Sequence, residues 1–276
     1  MSHISADVGG RSEHVAGLAA VRTRSPFFVV MALVLLVPIT VGFAPTFYLR
    51  PVFGTRDPLG GAFPLHLIVH GLVLSAWYAL FLAQTVLVAA RRVDLHRRLG
   101  AIGLGLAVAV VTVSLVTLIR MVPRALALGA SMPAIAQLLV GDGISLVQFA
   151  VFVGSGIHFR CRPATHKRLM FLAALAIINP AFSDHRPVGR TLGRLLPVWV
   201  PGLLVFLILC IGALVVYDLV TYKRVQTTTV WGICLTLLVY PATFFAWIAS
   251  GVGDVLRASE AAARPPTPSP PYRPSM

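Results

Sequence analysis

Long apolar stretches alternate with short, basic connections along most of the chain. The seven stretches cover residues 27–49, 65–90, 99–119, 134–159, 169–184, 196–220 and 230–250. Six of them exceed the ~20 residues that a helix rising 1.5 Å per residue needs to cross about 30 Å of hydrocarbon. The fifth is shorter, and it spans only if its helix begins at Thr165 and the side chains of 166–168 reach back to the headgroups. We predict an all-α membrane protein with seven transmembrane helices, a leading helix plus three helical hairpins.

The composition supports this class and sets the domain boundaries. Hydrophobic residues make up 57% of the chain and charged residues only 12%, which is far from the average of soluble domains. Residues 1–24 are polar and mixed, so we expect a flexible cytoplasmic N-terminus. Residues 253–276 are rich in proline, which predicts a disordered tail. The transmembrane domain then covers residues 25–252, and its first stretch lacks a clear signal-peptide cleavage site.

The formal net charge of +14 would suggest a nucleic-acid partner in a soluble protein. Here the cations lie almost entirely in the short connections and the two tails, so the expected partner is the lipid bilayer and not nucleic acid. The glycine-rich run GAIGLGLA (100–107) permits close helix contact within or between chains, and a homo-oligomer is therefore a further expectation. No feature of the sequence identifies a substrate.

The distribution of lysine and arginine predicts the orientation. With the N-terminus inside, thirteen of these residues lie in inside segments, seven lie in outside loops, and three remain on the tail. The positive-inside rule then favours a multi-pass protein with N-in and C-out. Arginine far outnumbers lysine, as in GC-rich bacterial coding, which points to a bacterial inner (plasma) membrane.

This orientation makes a testable prediction. An alkaline phosphatase reporter fused after Ile119 should be active, because the fusion point is expected outside. The same reporter fused after Ala90 should be inactive, because that point is expected inside. Enzyme activity in whole cells measures both, and the reverse pattern would invert every inside and outside label.

Two histidines interrupt the second apolar stretch, in PLHLIVHGLVLSAW (64–77). His66 and His70 are four residues apart and project from one face of a helix. Steps of seven from His70 reach Trp77, Gln84 and Arg91, so one face is polar along its length. Because lipid cannot satisfy these groups, we expect this polar seam to point into the bundle.

Other polar residues are expected at a similar depth from the outer side. Asp142, flanked by glycines in GDG, lies eight residues into the fourth stretch. A carboxylate at that depth costs roughly 2.5–3.5 kcal/mol on insertion scales, which makes it a functional candidate. The predicted outer constellation, with Asn179 also counted in the polar seam and Arg120 at the rim, comprises His66, His70, Asp142, Asn179, Asp184 and His185.

Three interpretations of this constellation remain open. Imidazole and carboxylate groups suit a divalent metal such as zinc or iron, with His66, His70, Asp142 and Asp184 as ligands. Alternatively, His70 and His185 are axial ligands of a haem b. In either case Asp142 would be a ligand or a catalytic proton acceptor in a redox protein. In the third interpretation the protein is a small transporter, or a structural or accessory membrane protein whose polar groups hold helices together.

A second group of histidines lies toward the inner side. His96 in HRRLG and His166 in HKRLM are seventy residues apart, and both are next to arginine or lysine at a predicted helix end, as is His158. We expect these side chains to anchor the helix ends to phosphate headgroups.

Three motifs carry a resemblance to known proteins. The run HGLVLSAWYALFLAQTVLVAARRVDLHRRLG (70–100), together with HKRLM (166–170) and YDL...WG (217–232), resembles a family of uncharacterised bacterial polytopic inner-membrane proteins. The similarity extends roughly over residues 27–250. It implies a multi-pass protein of the bacterial inner membrane and implies no mechanism.

Overall fold

The structure is a computed structural model that describes residues 26–60, 62–183, 186–197 and 201–238, with Ala242, Phe245 and Ala249 beyond them. The predicted N-terminal segment 1–24 and the predicted tail 253–276 lie outside the described residues. So do two predicted site residues, Asp184 and His185. Within the described residues the regular secondary structure is entirely helical.

Nine α-helices and two short helical turns follow one another in the described part of the chain. The α-helices are α1 (Phe27–Phe43), α2 (Arg50–Phe53), α3 (Leu65–Ala89), α4 (Val93–Ala127), α5 (Met132–His158), α6 (Pro163–Ala176), α7 (Pro187–Leu195), α8 (Gly202–Tyr222) and α9 (Thr227–Leu237). A π-helical turn, Ala44–Tyr48, extends α1, and a 3₁₀ turn, Asn179–Phe182, follows α6.

Five of the described helices are long and apolar enough to cross a membrane: Phe27–Tyr48, α3, α4, α5 and α8. An all-helical membrane protein is therefore confirmed at this level. The prediction of seven spans differs from the described structure in two places. The fifth stretch is interrupted, because α6 ends at Ala176, and the seventh is described only as the 11-residue helix α9, with most positions after Leu238 outside the described residues.

The interruption of the fifth stretch follows from its sequence. Pro180 has no backbone N–H and disfavours helical geometry in the preceding Asn179. The chain accordingly leaves α6 and forms the 3₁₀ turn with Pro180 near its start. Beyond this turn the chain forms a new, short helix, α7, which starts at Pro187.

The apolar core surrounds α6. The run from Phe171 to Ala174 is fully buried, and α6 packs along α5 and contacts α1 and α9. The helices α3 and α4 form a second hairpin against α1 and α5. Many large apolar side chains of the outer helices are exposed, as lipid-facing positions require, including Val108, Ile119 and Leu209.

The loop between α2 and α3 folds over the C-terminal end of α4. Arg124 Nη2 donates to Asp57 Oδ1 at 2.6 Å, and the Leu59 backbone N–H donates to the same oxygen at 2.9 Å. These two hydrogen bonds, chiefly the one from Arg124, hold the pKa of Asp57 below its ordinary value. Arg50 stacks on Phe63 with its guanidinium carbon 4.2 Å from the ring centre. Asp57 is thereby held against α4, and Phe63 is held against α2.

Candidate functional site

A small cavity lies between α3, α4, α5 and the residues that follow α6. Its volume is about 90 Å³, which is enough for several water molecules. His70 of α3 and Asp142 of α5 both line it, together with the hydroxyl-bearing residues Ser114, Thr117 and Ser145. The remaining lining is apolar. Two ionisable groups from separate helices therefore share one pocket within the bundle.

Glycines beside the two ionisable residues allow the helices to approach. A Cβ at position 71 would lie 2.5 Å from the ring of Phe47, so Gly71 lets the π-helical turn after α1 pack against α3. Gly141 is buried beside Asp142, whereas a Cβ at Gly143 would make only an ordinary contact, 4.0 Å, with Leu118 on α4. The close approach beside His70 therefore requires glycine at position 71.

The break after α6 brings a third polar group to the cavity edge. Asn179 Nδ2 donates to Asp142 Oδ1 at 3.1 Å. Ile177 and Pro180, on either side of Asn179, line the cavity. A helix that is interrupted at a buried polar site is typical of membrane transporters, where the freed backbone and side chains contact substrates or ions.

Two polar atoms at the cavity are buried without a hydrogen-bond partner among the described residues, His70 Nδ1 and Thr117 Oγ1. Native proteins satisfy almost all buried polar groups through protein atoms, water or a bound ligand, because an unsatisfied group costs about 1–3 kcal/mol. Thr117 is only 6% exposed. The cavity therefore offers a donor and acceptor surface to a small polar species.

The structure divides the residues that the sequence analysis assigned to a metal site. His70 and Asp142 share the cavity, whereas His66 lines a separate groove between α3 and α4. Asp184 lies outside the described residues. Among the residues that the structure describes, no group of three or more His, Cys, Asp or Glu side chains could hold a metal ion. Of the four predicted metal ligands, the cavity therefore contains only His70 and Asp142 among the described residues.

The haem interpretation has a similar difficulty. Its second axial ligand, His185, lies outside the described residues. His70 is the one histidine that lines the cavity, so the described residues supply one of the two predicted axial ligands. Haem binding at His70 therefore stays a prediction.

The polar seam of α3 is buried in its middle and ends earlier than expected. Trp77 is 3% exposed and packs edge-on against Phe149, with ring centres 4.9 Å apart. With its amide nitrogen facing α4, Gln84 contacts His96 Nδ1 at 2.6 Å. Arg91 does not continue the seam. The helix ends at Ala89, and Arg91 is exposed in the turn with a φ of 61°.

Tyr78 was not singled out from the sequence, yet it fixes α3 to the core. It is 1% exposed, and its hydroxyl donates to the backbone oxygen of Ala174 at 2.8 Å. Only its position next to Trp77 in an apolar helix could have indicated this role, because a buried tyrosine hydroxyl needs a partner.

The inner histidines contact neighbouring helices, and this corrects the expectation of headgroup anchoring for two of them. His166 Nδ1 forms a hydrogen bond of 2.8 Å with the backbone oxygen of Gly156 on α5. His96 meets Gln84 of α3, and the rings of His96 and His166 are 6.2 Å apart. His158 is exposed at the end of α5, and for it headgroup anchoring stays a prediction.

A buried ion pair at the end of the bundle that was predicted to lie inside was missed by the sequence analysis. Arg168 and Asp218 are both 0% exposed, and Arg168 Nε donates to Asp218 Oδ1 at 3.0 Å, with a second bond from Nη2. The other carboxylate oxygen accepts from Thr229 Oγ1 at 2.6 Å and from the Gln226 backbone N–H at 2.9 Å. Arg168 therefore does not reach the headgroups. The available signal was Asp218 itself, since a carboxylate in an apolar stretch requires a partner.

Lys167 extends this inner cluster. Its Nζ donates to the Tyr217 hydroxyl at 2.7 Å and lies 5.0 Å from the ring centres of both Phe28 and Tyr217. A cation over aromatic faces is attracted by the ring quadrupole. Helices α1, α6 and α8 are joined by this contact.

No family model, curated protein or solved structure matches this chain. Two of the three motifs that carry the sequence resemblance meet in the structure. HKRLM supplies Arg168 and YDL supplies Asp218, so two segments fifty residues apart form one ion pair.

Proposed function

We propose that this chain is a seven-span protein of the bacterial inner membrane, N-in and C-out, that binds a proton at the His70–Asp142 cavity and acts as a small proton-coupled transporter. One observation carries the proposal. An imidazole and a carboxyl group from separate helices line one small cavity, beside the point where α6 is interrupted.

Proton binding follows from the chemistry of the two side chains. Carboxyl groups in apolar surroundings titrate within the biological range, and imidazole can also bind and release a proton. Both groups face one cavity of about 90 Å³. Asn179 remains able to donate to Asp142 when the carboxylate is charged. Asp142 is therefore the carboxyl group at which we propose that the proton binds, with His70 lining the same cavity.

Transport is supported by the interrupted helix. The centre of the bundle is a 14-residue helix, too short to cross about 30 Å of hydrocarbon alone. Its 3₁₀ continuation carries Asn179, so any displacement of this segment changes the contact with Asp142. Broken helices beside a titratable site are the arrangement by which secondary transporters couple ion binding to movement.

The test is a pH step applied to the purified protein on a solid-supported membrane, with the displaced charge recorded. The wild-type chain should give a transient current, because protons bind within the membrane domain. Asp142→Asn should lower the current at least tenfold, to the level of protein-free membranes. Asp94→Asn is the matched control, because Asp94 is an exposed carboxylate at the start of α4 and should leave the current unchanged.

Three outcomes would contradict the proposal. The first is an unchanged current in Asp142→Asn. The second is a Soret band that is lost in His70→Ala, which would instead support haem. The third is stoichiometric zinc or iron that is lost in the same variant, which would support a metal site.

A further inference from the structure

A second concave site lies on the side of the bundle, between α3 and α4. It is a groove of about 580 Å³ lined by apolar side chains, among them Leu65, Val69 and Val116, and by four polar ones, His66, Thr112, Thr117 and Arg120. Leu65, Val69 and Val116 are 73%, 37% and 43% exposed and so face the surroundings of the bundle. On α4 the groove extends from Thr112 to Arg120, about 12 Å by helical rise. That length is close to one leaflet, which is half of a ~30 Å hydrocarbon layer.

One end of the groove carries an unneutralised positive charge. Arg120 is exposed and has no hydrogen bond or ion pair with any residue that the structure describes, whereas Arg124, one turn further, is paired with Asp57. His66 lines the same end, and its Nε2 is buried without a partner in the described chain. A guanidinium and an imidazole N–H are both donors to phosphate oxygens.

A third donor lies deeper in the groove. Thr117 lines both the groove and the His70–Asp142 cavity, is 6% exposed, and its Oγ1 has no partner among the described residues, so it can donate on either side. It precedes Arg120 by three residues, so it lies about 4.5 Å further along the helix axis, away from the charged end. In a phospholipid the ester carbonyls lie just below the phosphate and accept hydrogen bonds. The donors in the groove follow the same order, with Arg120 and His66 at the charged end and Thr117 deeper in the groove.

We propose that the groove between α3 and α4 binds one anionic phospholipid of the bilayer. The phosphate lies at Arg120 and His66, an ester carbonyl accepts from Thr117, and one acyl chain follows the apolar groove. A zwitterionic lipid carries its own cation next to the phosphate, which competes with Arg120. An anionic lipid has no such cation and is therefore preferred. The proposal rests on the groove alone and does not depend on proton binding at His70 and Asp142.

The test is native mass spectrometry of the protein released from micelles that contain equal amounts of phosphatidylglycerol and phosphatidylcholine. The wild-type chain should retain one phosphatidylglycerol, at least fivefold more often than phosphatidylcholine. Arg120→Gln should abolish this preference. Val116→Trp should remove the bound lipid, because the indole fills the groove while all donors remain. Arg194→Gln, which removes an exposed arginine of α7 away from the groove, should behave as wild type.

Two results would overturn the proposal. One is equal retention of the two lipids by the wild-type chain. The other is an unchanged preference in both Arg120→Gln and Val116→Trp. Size-exclusion profiles and thermal unfolding in the same micelles establish that each variant is folded, and His66→Ala provides a second variant at the charged end. Its expected effect is a partial loss of the preference, because Arg120 remains.

Discussion

Replacing Asp218 by alanine is expected to destabilise the membrane domain by about 3–5 kcal/mol. The substitution leaves the guanidinium of Arg168 fully buried without its counter-charge. It also removes the acceptor for Thr229 Oγ1 and for the backbone N–H of Gln226, which lie at the start of α9. The measurement is the free energy of unfolding in mixed micelles, read from the loss of helical circular dichroism as the denaturing detergent fraction rises.

A double variant separates the cost of an uncompensated charge from the value of the pair. Arg168→Met with Asp218→Leu removes both charges and fills their space with apolar groups, so most of the lost stability should return. Asp94→Ala removes an exposed carboxylate and should change stability by less than about 0.5 kcal/mol. A single variant Asp218→Ala with wild-type stability would show that Arg168 is not buried as described.

The ion pair also indicates how the inner end of the bundle is organised. Arg168 lies on α6, Asp218 on α8 and Thr229 on α9, so one charged cluster joins α6 to the consecutive helices α8 and α9, fifty residues further along the chain. Lys167 adds α1 through its contact with Phe28. Pairing of this kind restricts the ways in which apolar helices can associate, because any other register would leave a charge in the core.

Helices were predicted well where the signal is local. The second apolar stretch, 65–90, corresponds to α3 (Leu65–Ala89), because length and hydrophobicity alone determine a spanning helix. The fifth stretch was predicted as one helix although it contains Asn179 and Pro180. Hydrophobicity cannot show where a helix is interrupted, whereas an Asn-Pro pair is a known turn signal. Giving that pair more weight would have predicted the break.

The candidate site shows the limit of helical spacing. Four residues advance a helix by about 400°, so His66 and His70 differ by about 40° around the axis of α3. They were predicted to share one site, but largely different residues of α4 face each of them. His66 therefore lines the groove and His70 lines the cavity. Which neighbouring residues each histidine faces depends on how α4 packs against α3. The spacing of residues within α3 cannot predict that packing.

The pair Arg168–Asp218 was missed for a related reason. Each residue lies near the inner end of an apolar stretch, where the common role of a charge is contact with headgroups. Their pairing depends on α6 and α8 meeting at that end, which is a tertiary contact between residues fifty positions apart. Spacing along a single helix carries no information about it.

Replacing Gly189 by alanine is expected to have the opposite effect to the same change at Gly193, one turn later on α7. A Cβ at position 189 would collide with the backbone oxygens of Ser183 and Phe182, and with the Ser183 carbonyl carbon at 2.7 Å. Backbone atoms cannot rotate away as a side chain can, so Gly189→Ala should cost about 1–3 kcal/mol. At Gly193 no atom lies within 4 Å of the added Cβ, and alanine should stabilise the helix by up to about 1 kcal/mol.

The measurement is the free energy of unfolding of each variant in mixed micelles, compared with wild type. It should fall for Gly189→Ala and rise for Gly193→Ala. Equal stabilities would show that α7 does not pack against the turn after α6. The proton-dependent current gives a second readout, because Phe182 belongs to the same 3₁₀ turn as Asn179, whose amide donates to Asp142. If α7 has to move to accommodate a methyl group, that turn moves with it, so Gly189→Ala should reduce the current while Gly193→Ala retains it. A loss of stability with a normal current would separate the packing of α7 from the chemistry at Asp142.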